Sequence, residues 1–185
     1  MRPVSAPGPC ITLAKGAAVV VRRLDPAGDT AMLPALADLL VEAVAGGASI
    51  SFMAGYTPDE ALAFWTAKVA APGMIVLVAL EGAALLGTVT LAMDTPPNQP
   101  HRADVQKMIV AEAARRRGIG TALITAVEAE ARTETRTMLV LDTISFSDAA
   151  RLYERCGWTR AGEIPDYALM PAGGLAPTTV YFKRL

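Results

Sequence analysis

The 185-residue chain holds one histidine, two cysteines and ten aromatic residues in all. One histidine, His101, and two distant cysteines, Cys10 and Cys156, are too few for a zinc site, so no metal is expected. Two cysteines make no disulfide framework and point to a reducing, cytoplasmic setting. Excess charge of either sign is lacking too. The net charge is -1, which argues against a nucleic-acid-binding module. Long apolar runs are absent although 52% of the residues are hydrophobic. The apolar windows at residues 32–44 and 74–80 are interrupted by Pro34, Asp38 and Glu42 or are too short. A spanning helix needs about 20 nearly unbroken apolar residues, so no membrane span is expected. The opening stretch is broken by Pro3, Pro7, Pro9 and Lys15 and does not read as a signal peptide.

What is present suits one domain. Residues 1–16 read as a loose lead-in and residues 17–185 as a single α/β domain. A strand is expected at 17–24, then a helix with apolar spacing at 29–45 that Gly46 and Gly47 stop. Thr57, Pro58, Asp59 and Glu60 form the start of a second helix, which reaches residue 70. Strands at 74–80 and 85–93 join as a hairpin, and a strand at 102–110 follows a proline-rich loop. A helix at 118–132, a strand at 137–142, a short helix at 147–155 and strands at 158–167 and 178–183 complete the chain. The order β-α-α-β-β-β-α-β-α-β-β implies a mixed sheet.

The most informative stretch is the strand 102–110 and the basic loop after it, which closes through Gly118 and Gly120 into a helix. Glycines allow close backbone approach, and helix-start N–H groups attract an anion. Arg115, Arg116 and Arg117 add positive charge. A nucleoside-triphosphate loop would require a Gly-Lys pair, which is missing. A dinucleotide fingerprint would require a third glycine where Leu123 stands, and no insert at 111–117. A solvated arginine turn before an ordinary helix is the bland alternative.

The segment resembles the coenzyme A loop, [QR]-x-x-G-x-[GA], of the GNAT acetyltransferase superfamily, with Arg115, Gly118 and Gly120 in its three fixed positions. The run from Ala149 to Trp158 resembles the second signature, A-x-x-L-Y-x-x-x-G-[FW]. Segments beginning at His101, Leu141, Gly162 and Thr178 are similar to the tabtoxin-resistance branch. The resemblance covers about residue 74 to the C-terminus and implies a single GNAT-like domain with a splayed central sheet. One departure is Phe146, where asparagine is common; Ser147 or Asp148 is expected to replace its helix-start contact.

The resemblance implies acetyl-CoA as acetyl donor, lying where the strands at 102 and 137 part. Backbone groups of Met108, Ile109 and Val110 would pair with pantetheine amides, and amides from Arg116 through Ile119 and Gly120 to Thr121 would hold the pyrophosphate. It implies Tyr153 as general acid toward the leaving thiolate. A primary amine is mostly protonated at neutral pH and needs a proton acceptor. Asp104 and Asp142 are the candidates. Alternation along the strand places Asp104, Gln106 and Met108 on one face and Lys107 on the other. Phe52, Met53, Tyr56 and Trp65 could line the acceptor side or simply pack, and His101 could touch substrate or lie on the surface. Cys156 has no histidine neighbour to make it a nucleophile. The implied activity is N-acetylation of a small-molecule amine, with an amino-acid-like toxin or antibiotic among the acceptors. A non-catalytic coenzyme A-binding regulator and a protein or peptide N-acetyltransferase stay open. Exposed edges in the last strands suggest a homodimer.

Overall fold

The computed structural model describes residues 10–12 and 18–185. The expected lead-in therefore falls mostly outside the described residues; within it, β1 (Cys10–Thr12) pairs antiparallel with β2 (Ala18–Arg23). Next come α1 (Leu33–Ala45), α2 (Pro58–Ala70), β3 (Met74–Glu81), β4 (Ala84–Ala92) and β5 (Arg102–Val110). Then follow α3 (Ile119–Thr133), β6 (Met138–Ile144), α4 (Asp148–Arg155), β7 (Thr159–Leu169) and β8 (Leu175–Arg184). Among the described residues these strands form one mixed sheet in the order β1-β2-β3-β4-β5-β6-β8-β7. The α/β order expected from sequence is thus found, with β1 added. No helix among the described residues is long and apolar enough to cross a membrane.

Helix starts follow local chemistry. Thr57 and Glu60 cap α2 reciprocally, the Thr57 hydroxyl taking the Glu60 N–H while the Glu60 carboxylate takes the Thr57 N–H at 2.8 Å. The first helix begins later than its apolar spacing suggests. A short 3-10 turn, Thr30–Met32, precedes it, and Asp29 is held by a two-pronged pair with Arg22.

Two cores sandwich the sheet. On one face, α3 and α4 cover Val21, Ile75, Leu77, Leu91, Ala103 and Val105. On the other, α1 and α2 cover Val76, Val78 and Ile109, with Trp65 fully buried in that layer. A buried carboxylate, Glu128 of α3, accepts from the Trp158 indole N–H at 3.1 Å and from Lys183 Nζ at 2.7 Å. That bond set ties α3 to the end of α4 and to β8.

Two local features shape the sheet's centre. Thr88 pairs with Ile109 and Thr90 with Gln106, so Lys107 and Met108 stand opposite Val89 alone. This β-bulge puts Lys107 at φ 50°. Beside it, a Cβ on Gly87 would lie 2.7 Å from the Ile109 carbonyl oxygen, so only glycine lets β4 and β5 close there. The second feature is the entry to α4. Ser147 caps the helix, accepting from the Ala150 N–H at 3.1 Å, as expected of one of the two candidates. Phe146 before it sits at φ 62° and is 78% exposed. Asparagine tolerates that left-handed conformation better than phenylalanine.

Two stability changes follow. Gly87→Ala should lower the unfolding free energy by about 1–3 kcal/mol, the cost of forcing a methyl into a packed interior, read from the urea midpoint. Phe146→Asn should raise it by about 1 kcal/mol by relieving the left-handed penalty of a bulky residue, seen as a higher midpoint at unchanged slope.

Candidate active site

The site is built where β5 and β6 part. The two strands run parallel through only three register pairs, Arg102 with Met138, Ala103 with Leu139 and Asp104 with Val140. Beyond Asp104 the β6-facing edge of β5 has no ladder partner, while β6 continues against β8. Backbone groups of Met108, Ile109 and Val110 therefore border an open wedge. An extended chain of amides could complete such an edge as a strand would.

The wedge leads to the start of α3. Gly118 occupies the N-cap at φ 86°, and no side chain caps the helix. Its first N–H groups are thus left for an outside acceptor, and no acid stands in the first turn. Before it, a 3-10 turn at Glu112–Ala114 and a left-handed Arg116 fold the insert into a compact loop. Of the three arginines, Arg117 pairs with Glu81 at the end of β3. Arg115 lies along the Val110 carbonyl and Arg116 is exposed. The two loop glycines serve different ends. Gly118 supplies the left-handed turn. A Cβ on Gly120 would meet Leu152 at 2.7 Å and Met108 at 3.3 Å, so its bare side receives α4 and not a ligand. This corrects the expectation that both glycines clear space for a bound group.

The alternation expected along β5 also fails, because of the bulge. Gln106 and Lys107 both project toward the α1–α2 layer, whereas Met108 packs with α3 and α4. Gln106 accepts from Lys68 of α2 at 2.8 Å. Lys107 donates to the Ile50 carbonyl and the Ser51 hydroxyl at 2.7 and 2.9 Å. Its ammonium lies 5.0 Å from the Phe52 ring centroid and 5.9 Å from that of Phe64. Burial, with the charge of Lys68, lowers the Lys107 pKa to about 8.

The three proposed proton-transfer residues meet around the wedge. Tyr153 is buried at 4% exposure, between Trp158 and Tyr181 with ring centroids 5.7 and 6.1 Å away. Burial, and then the charge of Asp142, push its hydroxyl well above the ordinary tyrosine range. Asp142 opens to solvent within a cleft, where desolvation raises its carboxyl; the Asp104 charge adds to the rise and Lys107 opposes it. Asp104 is less free than expected, because Arg102, two residues earlier on the same face, pairs with it.

A cleft of about 260 Å³ lies over Asp142. One wall carries Ser51, Phe52 and Met53 from the α1–α2 loop; the other carries Thr178 of β8 and Leu169 of β7. Phe52 and Met53 thus take the lining place weighed for them. Trp65 is core, and Tyr56 donates to the Glu60 carbonyl beside a second, apolar hollow. His101 is exposed at the start of β5, where its carbonyl takes the Thr137 N–H, at the opposite end of β6 from Asp142. Burial pushes the Cys156 thiol up, which suits a packed residue better than a nucleophile. Sequence reasoning missed the turn of Lys107 toward the α1–α2 loop, because a bulge leaves no mark in a hydrophobic pattern.

Three solved structures share this fold. YncA from Salmonella typhimurium, solved with its cofactor acetyl-CoA, is 22% identical with a TM-score of 0.75 over 90% of this chain and 94% of its own. Ribosomal-protein-alanine N-acetyltransferase from Brucella melitensis is 22% identical at a TM-score of 0.76, covering 90% of this chain and 99% of its own. Aminoglycoside 6'-acetyltransferase type Ii is 18% identical at a TM-score of 0.70, covering 89% and 96%. The family model for the acetyltransferase (GNAT) family matches residues 41–158, a span that holds the parted strands, the α3 loop and Tyr153. This chain belongs to the acetyltransferase (GNAT) family.

Proposed function

We propose that the protein transfers the acetyl group of acetyl-CoA to a primary amine of a small molecule, by direct attack in a ternary complex. The observation that carries this reading is the open wedge between β5 and β6, flanked by Asp142 and Tyr153 and ending at the uncapped start of α3. Acetyl-CoA supplies an activated thioester when bound. Amides of Arg116, Arg117, Gly118, Ile119, Gly120 and Thr121 receive its pyrophosphate, with Arg115 and Arg116 close enough in sequence to add charge. Backbone groups of Met108, Ile109 and Val110 orient the rest, and an N–H near Ile109 stabilises the developing oxyanion.

Asp142, its carboxyl raised by burial first and also by the Asp104 charge, accepts the proton of the acceptor ammonium, directly or through a water. Tyr153 holds its proton at neutral pH and delivers it to the departing thiolate, and the second proton that the nitrogen loses as the amide forms restores the phenol. A cleft of about 260 Å³ bounded by the β7–β8 hairpin suits a small acceptor more than a protein tail. An amino-acid-like acceptor of the tabtoxin-resistance kind fits that size. The neighbours' names span a protein alanine and an aminoglycoside, so the acceptor is assigned on the cleft and not on the fold. Strand β7, exposed along almost its whole length, is the edge through which we expect two copies to pair.

Calorimetry with acetyl-CoA tests the donor site: micromolar binding by the parent should fall about tenfold or more in Gly118→Val, which cannot hold the left-handed N-cap. No binding by the folded parent would overturn the reading. Turnover across a panel of amines tests the chemistry. Tyr153→Phe and Asp142→Asn should each lower kcat by about 100-fold with the acetyl-CoA Kd unchanged. A base must be ionised to act, so kcat/KM should fall as pH drops through the raised pKa of Asp142, and that acid limb should vanish in Asp142→Asn. Full activity in Tyr153→Phe would remove it from the mechanism; binding without turnover of any amine would favour a regulator.

A further inference from the structure

We propose that Lys107 is a positioning residue for the acceptor, clamping the α1–α2 loop so that Phe52 and Met53 form the fixed wall opposite Asp142. This rests on the acetyltransfer reading above only for what the wall faces; the clamp itself stands on geometry. Ordinary β5 geometry would point Lys107 away from the loop, and the bulge turns it toward the loop. Its ammonium then meets two oxygens, from Ile50 and Ser51, and two aromatic faces, from Phe52 and Phe64. Phe52 also packs on Tyr56 and Phe64 at centroid distances of 4.4 and 5.1 Å, so fixing one residue fixes the aromatic cluster. The clamped loop is itself strained, with Ser51 at φ 79°. An unhelpful backbone conformation and a half-buried cation are both retained, and both are costs that simple packing would avoid.

The charged groups that bear on Lys107 are Lys68 on α2 and Asp142 on β6, with Asp104 acting on Asp142. The folded pKa lies near 8 against an ordinary 10.5. Between those values the unfolded chain binds more protons, so stability rises with pH there while the charge that holds the loop is lost.

Lys107→Met, Lys107→Arg and the parent would be compared by amide exchange, thermal midpoint, acetyl-CoA calorimetry and acetylation of tyramine as the probe amine. Lys107→Met should speed exchange in residues 49–53 about tenfold or more, with exchange in α3 and the acetyl-CoA Kd unchanged and a midpoint no lower than the parent's. Lys107→Arg, which keeps the charge, should restore most of the protection. The tyramine KM should rise about tenfold with kcat within a factor of about three, since the loop positions and does not react. In the parent, exchange of residues 49–53 corrected for its intrinsic pH dependence should rise between pH 7 and 9, and this step should be missing in Lys107→Met. Unchanged loop exchange in Lys107→Met overturns the clamp, whatever tyramine does. Loss of acetyl-CoA binding in the parent would instead fail the donor-site reading and leave the exchange result to decide the clamp.

Discussion

The active site depends on one extra residue in β5. Two residues, Lys107 and Met108, face the single Val89 across the β4–β5 ladder. A bulge bends its strand and sharpens the local twist. The bulge lies beyond the last β5–β6 pair, at Asp104 and Val140, in the part of β5 that stands away from β6. The wedge there gives the site its unpaired backbone edge. The same extra residue sends Lys107 to the α1–α2 layer and Met108 to the α3–α4 layer. Gly87 makes the bulge possible, because any side chain there would strike the Ile109 carbonyl.

A wedge in a sheet is unstable unless something holds its sides. On the α3–α4 face, Met108 and Leu152 fill the space left by the missing Cβ of Gly120. That contact sets α4 against the α3 start, and so sets Tyr153 beside the divergent strands. Glu128 reinforces it from below through Trp158 and Lys183, and Lys183 also donates to the Cys156 carbonyl at the end of α4. A carboxylate this buried is tolerable because both donors reach it; removing either would leave its charge poorly compensated. On the opposite face the Lys107 contacts and the Phe52–Tyr56–Phe64 cluster hold the other side.

Much of this was legible in the sequence. Periodicity and caps located each α-helix and strand from residue 18 onward to within a few residues, and Gly118 with its arginines marked the loop before α3, whose helix start carries no side-chain cap. The bulge was not legible. A period of two is the default for a strand, and no residue near Lys107 marks the exception. Placing Met108 with Asp104 was its direct consequence. Gly120 misled for a different reason: a glycine at a helix start reads as room for a ligand, and only the packing of a distant helix reveals room for Leu152. The exchange of cap at α4 was readable from Ser147, but the left-handed strain at Phe146 was not, since phenylalanine seldom occupies that conformation.

Burial is the first cause of every shift around the wedge, and the charges there modify it. Desolvation raises Asp142, which brings a carboxylate closer to the pKa a proton acceptor needs. Burial, and then the charge of Asp142, raise Tyr153, so its hydroxyl keeps its proton at neutral pH. Lys107 restrains the rise of Asp142 and is itself lowered by burial and by Lys68. The raised Asp142 and Tyr153 and the lowered Lys107 thus stand apart from their ordinary proton affinities. Burial contributes first to each shift, and the loop carrying Phe52 and Met53 forms one wall of the cleft over Asp142. Electrostatics and loop placement are therefore one property of the site: a wall that drifted outward would hydrate Asp142 and Lys107 together and return both toward their ordinary pKa values.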